Sequence, residues 1–297
     1  MAFPSTPANA TIYTATNNTK YIYITDNGGW SKYKPANTDP KYLDTAVQSL
    51  DDAEKETGLV NLGLPDTDTG QFLTTLHTVS GTHTFNPNTQ YAIVYAIGAG
   101  GGGGSVDATG TDGGTSGGGY SGAVAIKLVD VAAQGIQTST ITIGAAGTGS
   151  TSGNAAGTGG SNTVYNDGTY TLTAVGGAGG VAGVVTGTGY ASDYTSQPVS
   201  PIGGDINIPT RTPKPGYLFG SNAGGGTRHG GGGIGSDGQF GISGEAGNQR
   251  GAGKDDADST YRSGFGAGGS GGASVDNGTA GAGEDGTNGI VIIMEYK

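Results

Sequence analysis

Hydrophobic positions in this chain come in short alternating bursts, separated first by polar turns and later by long runs of glycine. The first burst is Thr19-Lys20-Tyr21-Ile22-Tyr23-Ile24-Thr25, closed by the turn signal Asp26-Asn27-Gly28-Gly29, and it predicts a strand. Trp30 and Tyr33 follow, with Pro35 and Pro40 as breakers. This is a small β element, either a capping hairpin or one whose aromatics cover a minor core or a partner. Over 41–57 the period changes. Leu43, Val47 and Leu50 recur at helical spacing beside Ala46 and Ala53, after Asp39-Pro40 and before Gly58. The opposite face is acidic, with Asp44, Asp51, Asp52, Glu54 and Glu56. A lone helix of that length is marginal in water, so its apolar stripe must be covered by its own domain or by identical helices in a short coiled coil. About two heptads do not decide between them; a slender protein favours self-association.

After a linker-like stretch from Leu59 to Gly70, the alternating run from Leu73 to Phe85 predicts a strand. The turn Asn86-Pro87-Asn88 and the apolar run from Tyr91 to Ile97 then predict a hairpin whose second strand is buried on both faces. Glycine takes over from Gly98 to Gly104 and again from Gly117 to Gly119. Strand-like runs return at Ala123–Val129, Ser139–Ile143, Thr163–Tyr165, Tyr170–Val175 and Gly289–Tyr296, each beside a glycine run. Disorder would not keep placing β-branched residues at the ends of glycine runs, so the alternation predicts ordered architecture.

Composition sharpens that picture. The chain has 297 residues, 64 of them glycine, with 33% hydrophobic and 12% charged residues. An ordinary core of Leu, Ile and Val cannot run its whole length. Ordering glycine costs more chain entropy than ordering any other residue, so dense hydrogen bonding must offset it. The Gly-X-Y period of collagen is missing; extended helices of about 3 residues per turn, packed side by side, are the other solution. Net charge is −11 with no basic run, which removes the electrostatic footprint of a nucleic-acid binder. No cysteine is present, so disulfides and thiolate chemistry are excluded. The polar start lacks a signal-peptide layout and no apolar run approaches a spanning helix, so a soluble protein made in a cytoplasm is expected. Three zones are expected: a β attachment element at 1–40, a helix with linker or neck at 41–78, and a glycine-rich domain at 79–297.

From about residue 80 the order of motifs resembles the glycine-rich tip domain of bacteriophage tail fibres and receptor-binding proteins. Gly81-Thr82-His83-Thr84-Phe85 and Tyr91–Ile97 run into the block Gly98–Gly104. Gly118-Gly119-Tyr120-Ser121-Gly122 leads to a strand, followed by Ile141-Thr142-Ile143-Gly144 and by Gly159-Gly160-Ser161-Asn162-Thr163. Ala174-Val175-Gly176-Gly177 and Gly286-Thr287-Asn288-Gly289-Ile290-Val291-Ile292 complete the order. Upstream, Glu56-Thr57-Gly58-Leu59-Val60-Asn61-Leu62 looks like a short repeat of tail-fibre shafts. The resemblance implies a mainly β fold with polyglycine-II-like layers, loops that bind a bacterial outer-surface receptor, and a place in the virion after assembly in the host cytoplasm. The chain departs from the family at its start, which has its own helix and hairpins. Both a separate monomeric tip and a short homotrimeric fibre therefore stay open, the trimer being favoured, with the N-terminal region joining other phage tail or baseplate proteins.

Candidate chemistry is sparse. Gly98-Ala99-Gly100-Gly101-Gly102-Gly103 fits a dinucleotide fingerprint, but no amphipathic helix follows to hold a pyrophosphate. Gly232–Asp237 matches part of a calcium-binding repeat that stands alone, and such sites need stacked neighbours. His77, His83 and His229 are the candidates for neutral-pH acid–base work. His77 and His83, an even number of residues apart, are expected on one face of a single strand. Asp51-Asp52 and Asp255-Asp256 are adjacent carboxylates that point apart, without an evident cleft. No enzyme, metal or cofactor is expected. Binding hot spots favour Tyr, Trp and Arg, and the glycine-poor insertions carry aromatic and charged residues. They place the candidate receptor contacts at Tyr190, Asp193, Tyr194, Tyr217, Phe219, Arg228, His229, Tyr261, Arg262 and Phe265. A non-viral structural or ice-binding protein is the alternative; it calls for threonine regularly spaced on one flat face, and the threonines here are not so spaced. A polysaccharide depolymerase ranks third.

Overall fold

Strands form where Thr, Val, Ile and Tyr alternate, and the chain is mainly β. The computed structural model describes residues 12–14, 20–24, 29–32, 72–107, 113–186, 189–190, 197–219, 229–243, 248–250, 263–274 and 280–297. The expected helix over 41–57 and the linker after it lie outside them. Two compact units divide the chain, Met1–Thr67 and Asp68–Lys297.

In the first unit, β1 (Ile12–Thr14), β2 (Lys20–Ile24) and β3 (Gly29–Lys32) form an antiparallel sheet in the order β1-β2-β3. β2 pairs with β3, with Tyr23 opposite Trp30.

The second unit is built on two antiparallel sheets. One has the order β14-β8-β6-β21-β4, from Ile206–Ile208, Val124–Asp130, Tyr91–Ile97, Ile290–Tyr296 and Phe72–His77. The other has the order β11-β10-β9-β5, from Thr171–Ala174, Thr163–Asn166, Thr138–Thr142 and Gly81–Thr84. Their inner faces share one core. Val94, Val129 and Ile293 from the first sheet meet Ile141, Tyr165 and Leu172 from the second, all buried. A single helical turn, α1 (Val131–Gln134), closes one end. Asp130 caps it by accepting the Ala133 N–H, and Gly135 ends it at a φ of 64°.

Two expectations are corrected here. The chain from Leu73 to Phe85 is not one strand but two, β4 and β5, which belong to different sheets. Nor do β5 and β6 form a hairpin: β5 pairs with β9, whereas β6 lies between β8 and β21. The apolar composition of β6 demands a central position, which a four-residue neighbour with alternate exposed threonines does not supply. One face of β6 is buried throughout, at Ala92, Val94 and Ala96, and the other runs from exposed Tyr91 through half-buried Ile93 and Tyr95 to fully buried Ile97.

Glycine segments continue the strands at one end of the two sheets. Segment 98–106 follows β6, and its amides bond outward with a period of three. Gly98, Gly101 and Gly104 donate to the carbonyls of Ala123, Tyr120 and Gly117. Ala99, Gly102 and Ser105 donate to Ser161, Thr158 and Ala155, while Gly100, Gly103 and Val106 donate to Thr287, Glu284 and Gly281. Partner numbers fall by three at each step, so these neighbours run antiparallel to it. Its carbonyls accept from Gly147 and Ser150, from Gly177, Gly180 and Gly183, and from Gly269 and Gly272, which run parallel. Six segments thus surround one. They also bond to each other in a closed ring: 116–123, 175–183, 155–161, 144–150, 281–289, 266–272 and back. Segment 232–236 packs outside, bonded to 116–119 and 268–271.

The missing side chains make this possible. A Cβ on Gly101 would overlap the Ala178 carbonyl, and one on Gly103 the Ser270 carbonyl. Glycine is needed there for close approach.

Candidate functional site

The direction of segment 98–106 defines a far end of the second unit, beyond the glycine bundle. β4 starts at Phe72, opposite Tyr296, and Tyr296 pairs with Tyr91 at the start of β6. The unit therefore begins and ends at the sheet end, away from the bundle's tip. Short strands gather at that tip. β7 (Gly113–Thr115) pairs with β12 (Val184–Thr186) and β20 (Ala273–Ser274). Beside them a four-stranded sheet has the order β13-β15-β16-β18, from Gly189–Tyr190, Tyr217–Phe219, His229–Gly231 and Asn248–Arg250. β16 leads straight into 232–236, whose Gly233 and Ser236 donate to the carbonyls of Ser116 and Gly119.

This sheet collects four of the expected contact residues. Tyr190 is in register with Tyr217, and Phe219 with His229. Leu218 is buried and a Cβ on Gly113 would meet its side chain, so β15 is pinned to the bundle from that side. Tyr217 is half-buried, its ring close above Gly231. The sequence reading missed Asn248 and Arg250, which β18 brings opposite Gly231 and His229. Arg250 was the only signal, in a stretch without aromatics. Asp193, Tyr194, Arg228, Tyr261 and Arg262 lie outside the described residues. Phe265 is elsewhere: it ends β19 (Ser263–Phe265), which pairs with β17 (Phe240–Ile242), and it lies at the sheet end of segment 266–272, half-buried against Ile97, Val124 and Ile290.

The histidines meet differently from the expectation. His77 is on β4 and His83 on β5, in separate sheets, yet His77 Nε2 lies 3.1 Å from His83 Nδ1. On the far side His83 Nε2 is 3.2 Å from Glu295 Oε1, without hydrogen-bonding geometry. Glu295 is buried, and its Oε2 accepts from the Asn86 N–H and the Thr89 hydroxyl. Burial lowers both histidines from their ordinary value; for His83 the Glu295 carboxylate acts in the opposite sense. This cluster ties β21 to the β5–β6 loop, far from the tip. An adjacent pocket of about 600 Å³ is lined by Phe85, Pro87, Val131 and Ile136. Among the described residues no group of three His, Asp or Glu side chains could hold a metal ion.

The glycine fingerprint at 98–103 has every amide committed to a neighbouring segment, leaving none for a phosphate. In the partial calcium repeat, Asp237 Oδ1 accepts instead from the Ser243 N–H and hydroxyl.

The expectation that threonine lacks regular spacing is corrected. On the outer face of the four-stranded sheet Thr82 pairs with Thr140 and Thr84 with Thr138, and Thr142 continues β9; all five are exposed. Strand geometry spaces them about 6.8 Å along and about 4.8 Å across. Val164 and Asn166 on β10 interrupt the grid before Thr171 and Thr173 on β11.

No protein-family model matches the chain, and none of the curated proteins matches it.

Proposed function

We propose that this protein is the tip of a bacteriophage tail fibre and binds a bacterial outer-surface receptor through its glycine-poor loops. The seven bonded segments are read as polyglycine-II helices, a rigid pedestal of about 3 residues per turn. One observation carries the reading: the second unit is entered and left at its sheet end, while Tyr190, Tyr217, Phe219 and His229 gather at the opposite tip. A binding head needs that polarity, with attachment at one end and contacts at the other. The N-terminal region takes the docking role, on other tail or baseplate proteins, in a homotrimer. Recognition involves no catalysis and no cofactor. A net charge of −11 disfavours long-range attraction to anionic polysaccharide, so the receptor is a protein or a neutral glycan.

The test is binding of purified protein to host cells, repeated after exchanging residues 187–220 and then 254–265 for those of a related protein. Altered host range is expected. Unchanged host range after both exchanges would sink the loop assignment.

The threonine grid favours a second reading, an ice-binding surface. Its interruption at Val164 and Asn166 weighs against it, and β propensity alone places threonine on solvent-facing strands. Thermal hysteresis of the purified protein, lost in Thr82→Tyr with Thr140→Tyr, would favour ice over a receptor.

A further inference from the structure

The two faces of the five-stranded sheet differ in what they meet. The inner face is spent on the core shared with the second sheet. The outer face carries an apolar row across all five strands: Ile206, Ile126, Tyr95, Ile292 and Leu76, each in register with the next. Towards the glycine bundle lies the row Ile208, Val124, Ile97 and Ile290, which Phe265 helps to cover. Away from the bundle the face is open among the described residues. Leu128, Ile93, Met294 and Thr74 form one row, and Asp130, Tyr91, Tyr296 and Phe72 form the next. Asp130 is the only charged residue in these rows, and it stands at the rim, turned into the α1 cap.

Phe72, Leu76, Tyr91, Leu128, Ile206 and Tyr296 are each between 39% and 59% exposed. Phe240, whose ring lies 6.4 Å from that of Tyr95, and Ile242 extend the patch at 44% and 62%. At such exposure each side chain leaves on the order of 100 Å² bare, so the set offers on the order of 800 Å². That exceeds the largest apolar patch of an ordinary monomer and equals what one partner contributes to a standard interface.

We propose that this face is a self-association surface, covered by the same face of another copy of the chain. Charge selects that occupant. Copies carrying −11 each repel wherever their acidic surfaces meet, and a face whose two rim carboxylates are engaged, Asp130 in the α1 cap and Asp205 with Lys127, is where they approach at least electrostatic cost. Sheets also pack face to face about 10 Å apart with side chains interlocking, so a flat apolar sheet is complementary to itself. With the same face on both sides the contact is isologous and closes about a two-fold axis. It does not rest on the receptor reading, since the face lies away from the tip.

The full-length chain has a mass of 29.0 kDa, and light scattering is expected to give an even multiple of that value at micromolar concentration. Leu76→Glu combined with Leu128→Glu should halve the mass with unchanged circular dichroism; Thr82→Glu, on the opposite sheet, should not. A wild-type protein that is monomeric, or a double variant that keeps the wild-type mass, overturns the proposal. Should the double variant misfold, the absence of native cysteine allows a second measurement. A short bismaleimide should join two copies of Leu128→Cys and not of Thr140→Cys; no joining at Leu128→Cys overturns it equally.

Discussion

Single residues in this protein act mainly through the space they leave empty or the proton they refuse. Gly101 and Gly103 are surrounded by neighbouring backbone, so Gly101→Ala forces apart two segments that no rotamer change can relieve. Destabilisation of about 3 kcal/mol or more is expected by urea unfolding. At Gly81 an added methyl group would meet nothing within 4 Å, and φ is not positive, so Gly81→Ala should be neutral or gain up to about 1 kcal/mol. His83 is the other sensitive residue. Burial lowers its folded-state pKa, so near and below the ordinary histidine value of about 6.5 the unfolded chain binds more protons than the folded one. Stability is therefore greatest above that value and is lost as the pH falls through it. A lower melting temperature at pH 5 than at pH 7.5 is expected, with a smaller difference in His83→Gln. An equal difference in both proteins would remove His83 from the explanation.

At the scale of elements, the two sheets depend on pieces that are distant in sequence. Leu172 on β11 is fully buried against the opposite sheet, and Leu172→Ala should cost about 2–5 kcal/mol by chemical unfolding. β4 covers one edge of β21 along its whole length, from His77 opposite Val291 to Phe72 opposite Tyr296. The sequence reading began the glycine-rich domain at 79, two residues after that strand. A fragment starting at Asp68 should melt cooperatively. One starting at 79 leaves β21 as an open apolar edge and should melt lower or aggregate.

For the whole second unit, the glycine bundle and the two sheets are one hydrogen-bonded continuum. Segment 98–106 has an amide partner for every residue from Gly98 to Val106, supplied by three different segments. Opening it therefore requires opening its neighbours, and its exchange should track global unfolding. Hydrogen exchange read on peptides covering 98–106 should be as slow as on β6. Fast exchange there, with β6 protected, would show that the bundle opens alone. The same continuity makes the bundle a rigid support, which suits the proposed receptor contact.

What the sequence by itself determined is local. Alternating β-branched residues mark β8, β9, β10, β11 and β21 within a residue or two, because pleat and side-chain period are properties of a single strand. The glycine runs announce segments that must lie close together, because no other composition needs that absence of Cβ. Which segments lie together was decided only in three dimensions. Every glycine segment offers its neighbours the same donors and acceptors, so nothing in 98–106 names 281–289 or 155–161 as its partner. The break between β4 and β5 likewise depends on which sheet each strand can complete, and it alone brings His77 against His83. The threonine grid and the apolar rows are registers between strands far apart in the chain. Pattern along one strand says which residues share a face; packing between strands says what stands beside them.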